Sequence, residues 1–381
     1  MISENRDQNL FLGFILLFFC FALLFNLGGR TLENNDYLHY AEIGREILET
    51  GDWVIMHNGG KIYVDKPPLH SMNMALSFKL FGVSPFAARF PGAFFGLAGV
   101  LATFFFGMRI KQGQDLKTGI YASLLLLSSY GYFFLTRRPR NDIEYAVLFS
   151  LCLILFYEGY ETSIKKHKFL FYALFWTCMG FAALVKGPAA FLPLLIIALY
   201  LFIQKGWKQA GGKAFFATSL LLPAVVLPYL ILLVLHKDFP EFMTILKNHT
   251  IMTRSGGPLY YIPVFFEKYF PAGIFLALSL PVLWKEKKIF RENPRMAFVL
   301  TWACVYLFSI QLIKAKVYRY LLPAFPPLSI ITAWGVQKLL EKKALPESLW
   351  RYGKILAGIL CLGWPIVIWV FRGWSWPDLI L

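Results

Sequence analysis

Charge is what this chain has least of. Only 16% of its 381 residues are Asp, Glu, Lys or Arg, against about 25% in soluble globular chains. Apolar residues make up 57% and gather in runs of about 20 residues, the length that crosses a hydrocarbon core. A soluble fold would have to cover every such run with other protein, which excludes that class. Cysteine is scarce as well. Cys20, Cys152, Cys178, Cys304 and Cys361 each lie inside an apolar run, with no CxxC and no Cys/His spacing. Neither a disulfide framework nor a structural zinc site is implied. No Walker A and no strand-linked GxGxxG occurs, so nothing reads as a nucleotide-binding loop. Low-complexity tracts are missing too.

What is present is a polytopic, all-α pattern. About eleven membrane segments are expected, near 9–28, 90–110, 118–136, 142–160, 169–186, 188–204, 214–235, 269–284, 296–313, 319–338 and 354–372. The first run, Leu10 to Leu27, is longer than a signal h-region and has no A-x-A site, so it reads as a membrane helix. Residues 1–381 read as a single transmembrane domain without a separate C-terminal soluble domain.

The net charge is +16, with 38 basic and 22 acidic residues. With the N-terminus in the cytoplasm, five short inner loops (109–117, 162–168, 204–213, 284–295 and 337–354) hold nineteen of the basic residues. This is the positive-inside pattern, and it needs no nucleic-acid partner. The outer loops differ. Two are long, 29–89 and 236–269, and three short ones carry Arg137-Arg138-Pro139-Arg140, Lys186-Gly187-Pro188 and Lys314-Ala315-Lys316-Val317-Tyr318-Arg319. Basic residues on that side oppose the topological rule. A bound anion such as a lipid phosphate is the simplest explanation.

The first outer loop reads as ordered. Asp36 to Glu49 has helical spacing and ends at Gly51. Asn58-Gly59-Gly60 marks a short hairpin, and Pro67-Pro68 opens a second helix over Leu69–Phe81. Asp36 can cap the first helix or serve as a carboxylate general base. Asp65-Lys66 can be a weak surface pair, or a phosphate grip on a backbone stiffened by Pro67-Pro68. Asp142 can cap its helix, the arginines before it can meet lipid head groups, and Lys186 can snorkel. His249 can be merely exposed. Singly these signals are unspecific; jointly, five outer loops bring basic residues to one face.

The motifs are also familiar. Asp36-Tyr37-Leu38-His39-Tyr40-Ala41-Glu42-Ile43 with Gly51-Asp52-Trp53 resembles the first outer loop of the bacterial ArnT-like and protein-mannosyltransferase-like GT-C glycosyltransferases. Asp65-Lys66-Pro67-Pro68, Arg140-Asn141-Asp142, Lys186-Gly187-Pro188, Asn248-His249, Pro258-Leu259-Tyr260-Tyr261 and Lys316-Val317-Tyr318-Arg319-Tyr320 are similar to later landmarks of that family, in order. The resemblance covers about Asp36 to Pro327.

It implies a GT-C fold with juxtamembrane helices on the outer face. It further implies an inverting enzyme of the bacterial inner membrane, its site facing the periplasm, that moves a sugar from a polyprenyl-phosphate donor to an acceptor. The acceptor would be lipid A or another glycolipid, or else a protein. On this chain Asp36 would be the catalytic carboxylate. Lys66, Arg254, Lys186, Lys316 and Arg140 would hold the donor phosphate, Asp142 would be a second site acid, and Asp65 with His249 could bind a divalent cation. No cofactor is otherwise required. Two positions depart from the family: Tyr37 stands where a second acid is usual, and His39 where an arginine is usual. A transporter or flippase is the rival class, but it would place charge at the bilayer midplane rather than at one face.

Overall fold

The computed structural model describes residues 2–32, 35–111, 115–249, 256–257 and 259–341, without the side chains of residues 2–9, 11, 12, 35 and 36. The described chain is helical apart from one hairpin. Its helices run α1 (Ile2–Leu24), α2 (Asn35–Thr50), α3 (Leu69–Phe81), α4 (Pro85–Met108), α5 (Leu116–Ser128), α6 (Tyr130–Thr136), α7 (Asn141–Glu161) and α8 (Lys165–Lys186). They continue with α9 (Leu192–Gln204), α10 (Gly212–Thr218), α11 (Leu221–Leu235), α12 (Phe239–Asn248), α13 (Tyr261–Lys268), α14 (Ala272–Lys285), α15 (Ile289–Glu292), α16 (Pro294–Leu312) and α17 (Phe325–Glu341). Short 3-10 turns over Gly187–Phe191 and Tyr318–Ala324 precede α9 and α17.

Several boundaries are set by capping chemistry. Ser84 accepts a hydrogen bond from the Ala87 amide at 3.2 Å and is followed by Pro85. Asn293 does the same for Met296 at 2.9 Å, followed by Pro294. In each case a side-chain oxygen satisfies an amide the helix cannot, and proline occupies the position where no donor is needed.

By length and apolarity, five described helical stretches can cross a membrane, or seven if each of two bent pairs counts as one span. The expected count of eleven is therefore not confirmed. The pairs α5–α6 and α13–α14 bend by 71° and 108°. α17 is only 17 residues long, and the segment near 354–372 lies outside the described residues. The longest stretch, Lys165–Gln204, turns back on itself. Lys168 Nζ donates to the Gln209 carbonyl at 2.9 Å, and the Tyr172 hydroxyl donates to that of Ala210 at 2.5 Å. The residues after α9 thus lie beside the start of α8, so these 40 residues form two antiparallel passes.

α7 carries charge only at its ends. Asp142 and Glu144 open it, while Glu158 and Glu161 close it against Arg295 and Arg109. Glu158 lies 16 positions after Asp142, about 24 Å along a helix. The helix between them is buried among apolar and aromatic side chains such as Phe149, Phe156 and Tyr157. This is the charge spacing of a protein that crosses a hydrocarbon layer.

The first outer loop is a packed layer on the end of α4. Its strands β1 (His57–Asn58) and β2 (Lys61–Ile62) pair antiparallel, with Gly59 and Gly60 at φ 61° and 73° between them. Two successive positive φ values are what a tight primed turn needs, and glycine adopts them without strain. The Gly59 and Gly60 amides donate to the Glu46 carboxylate of α2. α2 ends at Gly51, φ 71°. Its apolar face (Tyr40, Ile43, Ile47) packs on Met74, Ala75 and Phe78 of α3. Arg89 of α4 ties the layer down by donating to the carbonyls of Leu27, Arg30 and Thr31 at 2.6–2.9 Å.

Candidate functional site

Three of the basic residues expected on the outer face, Arg140, Lys186 and Arg319, converge on the first turn of α7. Asp142 is 5% exposed, and its oxygens face three cations rather than capping the helix. Lys186 Nζ lies 2.8 Å from Oδ1; Arg140 Nε and Arg319 Nε lie 3.2 and 3.1 Å from Oδ2. Local geometry delivers each one. Arg140 precedes α7, and Lys186 is the last residue of α8, where Gly187 at φ 60° turns the chain. Arg319 sits in the 3-10 turn before α17. Three partly buried cations thus share the Asp142 carboxylate in a place that desolvates positive charge. An anion is the natural complement.

Lys66 stands beside this cluster. It is exposed and makes no ion pair among the described residues. Its charge is close enough to Lys186 for the two to act on each other, and a Cβ on Gly187 would sit 3.9 Å from the Pro67 ring. Asp65-Lys66-Pro67-Pro68 and Lys186-Gly187, which are far apart in sequence, therefore meet. Tyr37 packs under the arginines, its ring centre 5.1 Å from the Arg138 guanidinium and 6.0 Å from that of Arg140. The departure from a second acid thus places an aromatic face against two cations. Tyr63 lies between Tyr40 and Asp65, and burial holds its phenol well above the ordinary range.

Asp65 and His249 are in direct contact, bridging the two long outer loops. Among the described residues no group of three His, Cys, Asp or Glu side chains could hold a metal. Two protein ligands fall short of a resident zinc site.

The other candidates occupy varied places. Asp36 lies in the first turn of α2, and its side chain is outside the described residues, as is Arg254. Lys316 is 6% exposed and donates to the carbonyls of Ile310 and Gln311 at the end of α16, with the Tyr261 ring 5.4 Å away. Its ammonium is thus engaged away from Asp142. Of the remaining outer arginines, Arg137 donates to the carbonyls of Ala22, Leu23 and Phe25 around the end of α1, at 2.6–2.8 Å. Arg138 lies over the Phe134 ring at 4.4 Å. His39 shares a 2.8 Å hydrogen bond with Asn58 and lines an open groove of about 760 Å³ with Leu38, Glu42 and Arg45.

Residues 65–232 match the family model described as dolichyl-phosphate-mannose-protein mannosyltransferase. An undecaprenyl phosphate-alpha-4-amino-4-deoxy-L-arabinose arabinosyl transferase of Aeromonas hydrophila subsp. hydrophila is 28% identical over 363 residues, covering 91% of this chain and 64% of that one. The transferase of the same name from Serratia proteamaculans is 24% identical, covering 96% and 68%. Among solved structures, ArnT from Cupriavidus metallidurans bound to undecaprenyl phosphate matches with a TM-score of 0.74 at 24% identity, over 92% of this chain and 62% of that one.

This chain has the GT-C fold. The resemblance to the ArnT-like and protein-mannosyltransferase-like family read from its motifs is shown by these matches. The GT-C fold of the Archaeoglobus fulgidus oligosaccharyltransferase is more distant, with a TM-score of 0.60 at 13% identity. The chain spans just under two thirds of the Aeromonas and Cupriavidus proteins, 64% and 62%.

Within this GT-C chain, the sequence reading left three residues out of the site. Arg319 was placed on the outer face but not on Asp142. His70 and Glu144 were missed altogether: His70 Nδ1 lies 3.0 Å from Glu144 Oε1, with the two side chains 2% and 0% exposed. A signal existed. Asp142 and Glu144 put two acids in one first turn of a membrane helix, and His70 is a polar residue in the first turn of a largely apolar one.

Proposed function

We propose that this chain is an inverting glycosyltransferase of the bacterial inner membrane. It moves a sugar from a polyprenyl (undecaprenyl) phosphate to an acceptor on the periplasmic face, most simply lipid A or another envelope glycolipid. The observation that carries the reading is the trio of cations around Asp142, with Lys66 beside it. These groups form a fixed positive site at the end of a membrane helix, where a lipid-linked phosphate would sit.

Lys66 holds the donor phosphate together with Lys186, Arg140 and Arg319, and Arg254 of the second outer loop joins them. Charge grows on this phosphate as the sugar departs, so fixed cations in a poorly hydrated site stabilise the transition state more than the ground state. Asp142 keeps the cations apart and aimed. Asp36 takes the acceptor proton as its oxygen attacks the anomeric carbon opposite the leaving phosphate, which inverts that carbon. A divalent cation, held by Asp65 and His249, would add charge at the same phosphate. The N-terminus and the loops rich in lysine lie in the cytoplasm under this reading.

Transfer to protein is the second reading, favoured by the description of the family model that matches residues 65–232. Mass spectrometry of envelope lipids from cells with and without the active gene separates the two. Loss of one sugar-sized increment from a glycolipid supports the first reading, and unchanged lipids with a glycoprotein lost support the second. Asp36→Asn should remove the increment while the protein remains folded. A folded, active Asn variant would sink the catalytic assignment.

A further inference from the structure

We propose that His70, Asn73 and Glu144 form a positioning latch that sets the spacing between the two arms of the donor site, Lys66 on one side and Asp142 with Lys186 on the other. The inference rests on the donor reading above.

The latch sits where it can govern both arms. α3 begins directly after Pro67-Pro68, so His70 is four residues from Lys66 across a stiff dipeptide. Glu144 is two residues from Asp142 in the first turn of α7. His70 Nδ1 lies 3.0 Å from Glu144 Oε1, and Asn73 Nδ2 donates to Oε2 at 3.3 Å. Both oxygens of Glu144 are thus held by one face of α3. His70 is fixed further by the edge of the Tyr40 ring, 4.9 Å between centroids at 86°, which brings α2 into register as well.

Exposure gives the contact its weight. Glu144 is fully buried and meets no lysine or arginine among the described residues. Water cannot replace a lost partner there, so the carboxylate holds α3 at one height along α7. An apolar pair of similar size would pack the helices at least as well without costing desolvation. What it would not supply is direction. Nε2 of His70 is buried without a hydrogen-bond partner among the described residues, so the ring's hydrogen bonding rests on Nδ1.

The test uses the full chain in detergent and four variants: His70→Asn, which keeps an amide near Nδ1; His70→Gln, which places it near Nε2; His70→Leu; and the double variant His70→Leu/Glu144→Leu. Two quantities are measured, the unfolding midpoint and the Kd for undecaprenyl phosphate. His70→Leu should lose stability and bind about tenfold or more weakly, the scale expected when a binding group is displaced by a fraction of an ångström. The double variant should recover its midpoint, because no buried carboxyl group is left without its partner, yet still bind weakly. His70→Asn should bind as the wild type and His70→Gln should not. A double variant that recovers both midpoint and affinity overturns the latch and leaves a structural clip. So does equal affinity of the folded Asn and Gln variants, which decides the matter if the double variant does not fold. A wild-type chain that fails to bind undecaprenyl phosphate overturns the donor reading and the latch together.

Discussion

Replacing Asp142 by Asn removes one negative charge without changing shape, and the geometry around it sets the size of the effect. Lys186, Arg140 and Arg319 lie 2.8, 3.2 and 3.1 Å from its oxygens, with side chains 15%, 7% and 21% exposed. Removing one member of a buried ion pair costs about 3–5 kcal/mol, because the charge left behind cannot recover its water. The cations here are partly solvated and the amide oxygen still accepts one hydrogen bond, so a loss of about 3 kcal/mol is expected. The same change makes the site a stronger anion trap. Undecaprenyl phosphate should then restore more stability to the variant than to the wild type, since ligand stabilisation grows as RT ln(1 + [L]/Kd). Thermal unfolding in detergent, with and without a saturating lipid, reads both quantities. An Asn variant as stable as the wild type, with the same lipid-induced shift, would refute the argument that the cations depend on the charge of Asp142.

Lys66→Met should raise the donor KM about 10- to 100-fold, the worth of one charge-assisted contact, with little change in fold, since the side chain is exposed; transfer kinetics at varied donor check it. Asp65→Asn and His249→Gln should each weaken donor use, and the double variant should be little worse than either. Their contact predicts a coupling of about 0.5–1 kcal/mol in a double-mutant cycle, and strict additivity would show that the two act separately. Gly60→Ala should cost about 1–2 kcal/mol at φ 73° and loosen the hairpin, read as faster proteolysis or hydrogen exchange of residues 57–62.

Local features were legible in the sequence. Asn58-Gly59-Gly60 specified a turn because two positive φ values in a row nearly demand glycine. Leu69–Phe81 and the end of α2 at Gly51 were readable from proline and glycine punctuation. The number of spans was less legible. Hydropathy cannot tell a straight helix from a bent pair, as α5–α6 shows; the break within 165–204, by contrast, was readable at Lys186-Gly187-Pro188, where α8 ends.

The charged residues divide most clearly. By itself the sequence determined that this is a membrane protein, and it divided the lysines and arginines into a larger set expected on the inner face and a smaller set expected on the outer one. Those conclusions depend on solvation, which acts on each segment alone. Only the tertiary structure decided which outer cation does what. Arg89 and Arg137 hold backbone carbonyls near the end of α1, Lys316 holds those of α16, and Arg140, Lys186 and Arg319 meet at Asp142. The reason is range. Ion pairs and hydrogen bonds act over about 3 Å, and the packing of distant helices, not their order along the chain, sets which groups come that close.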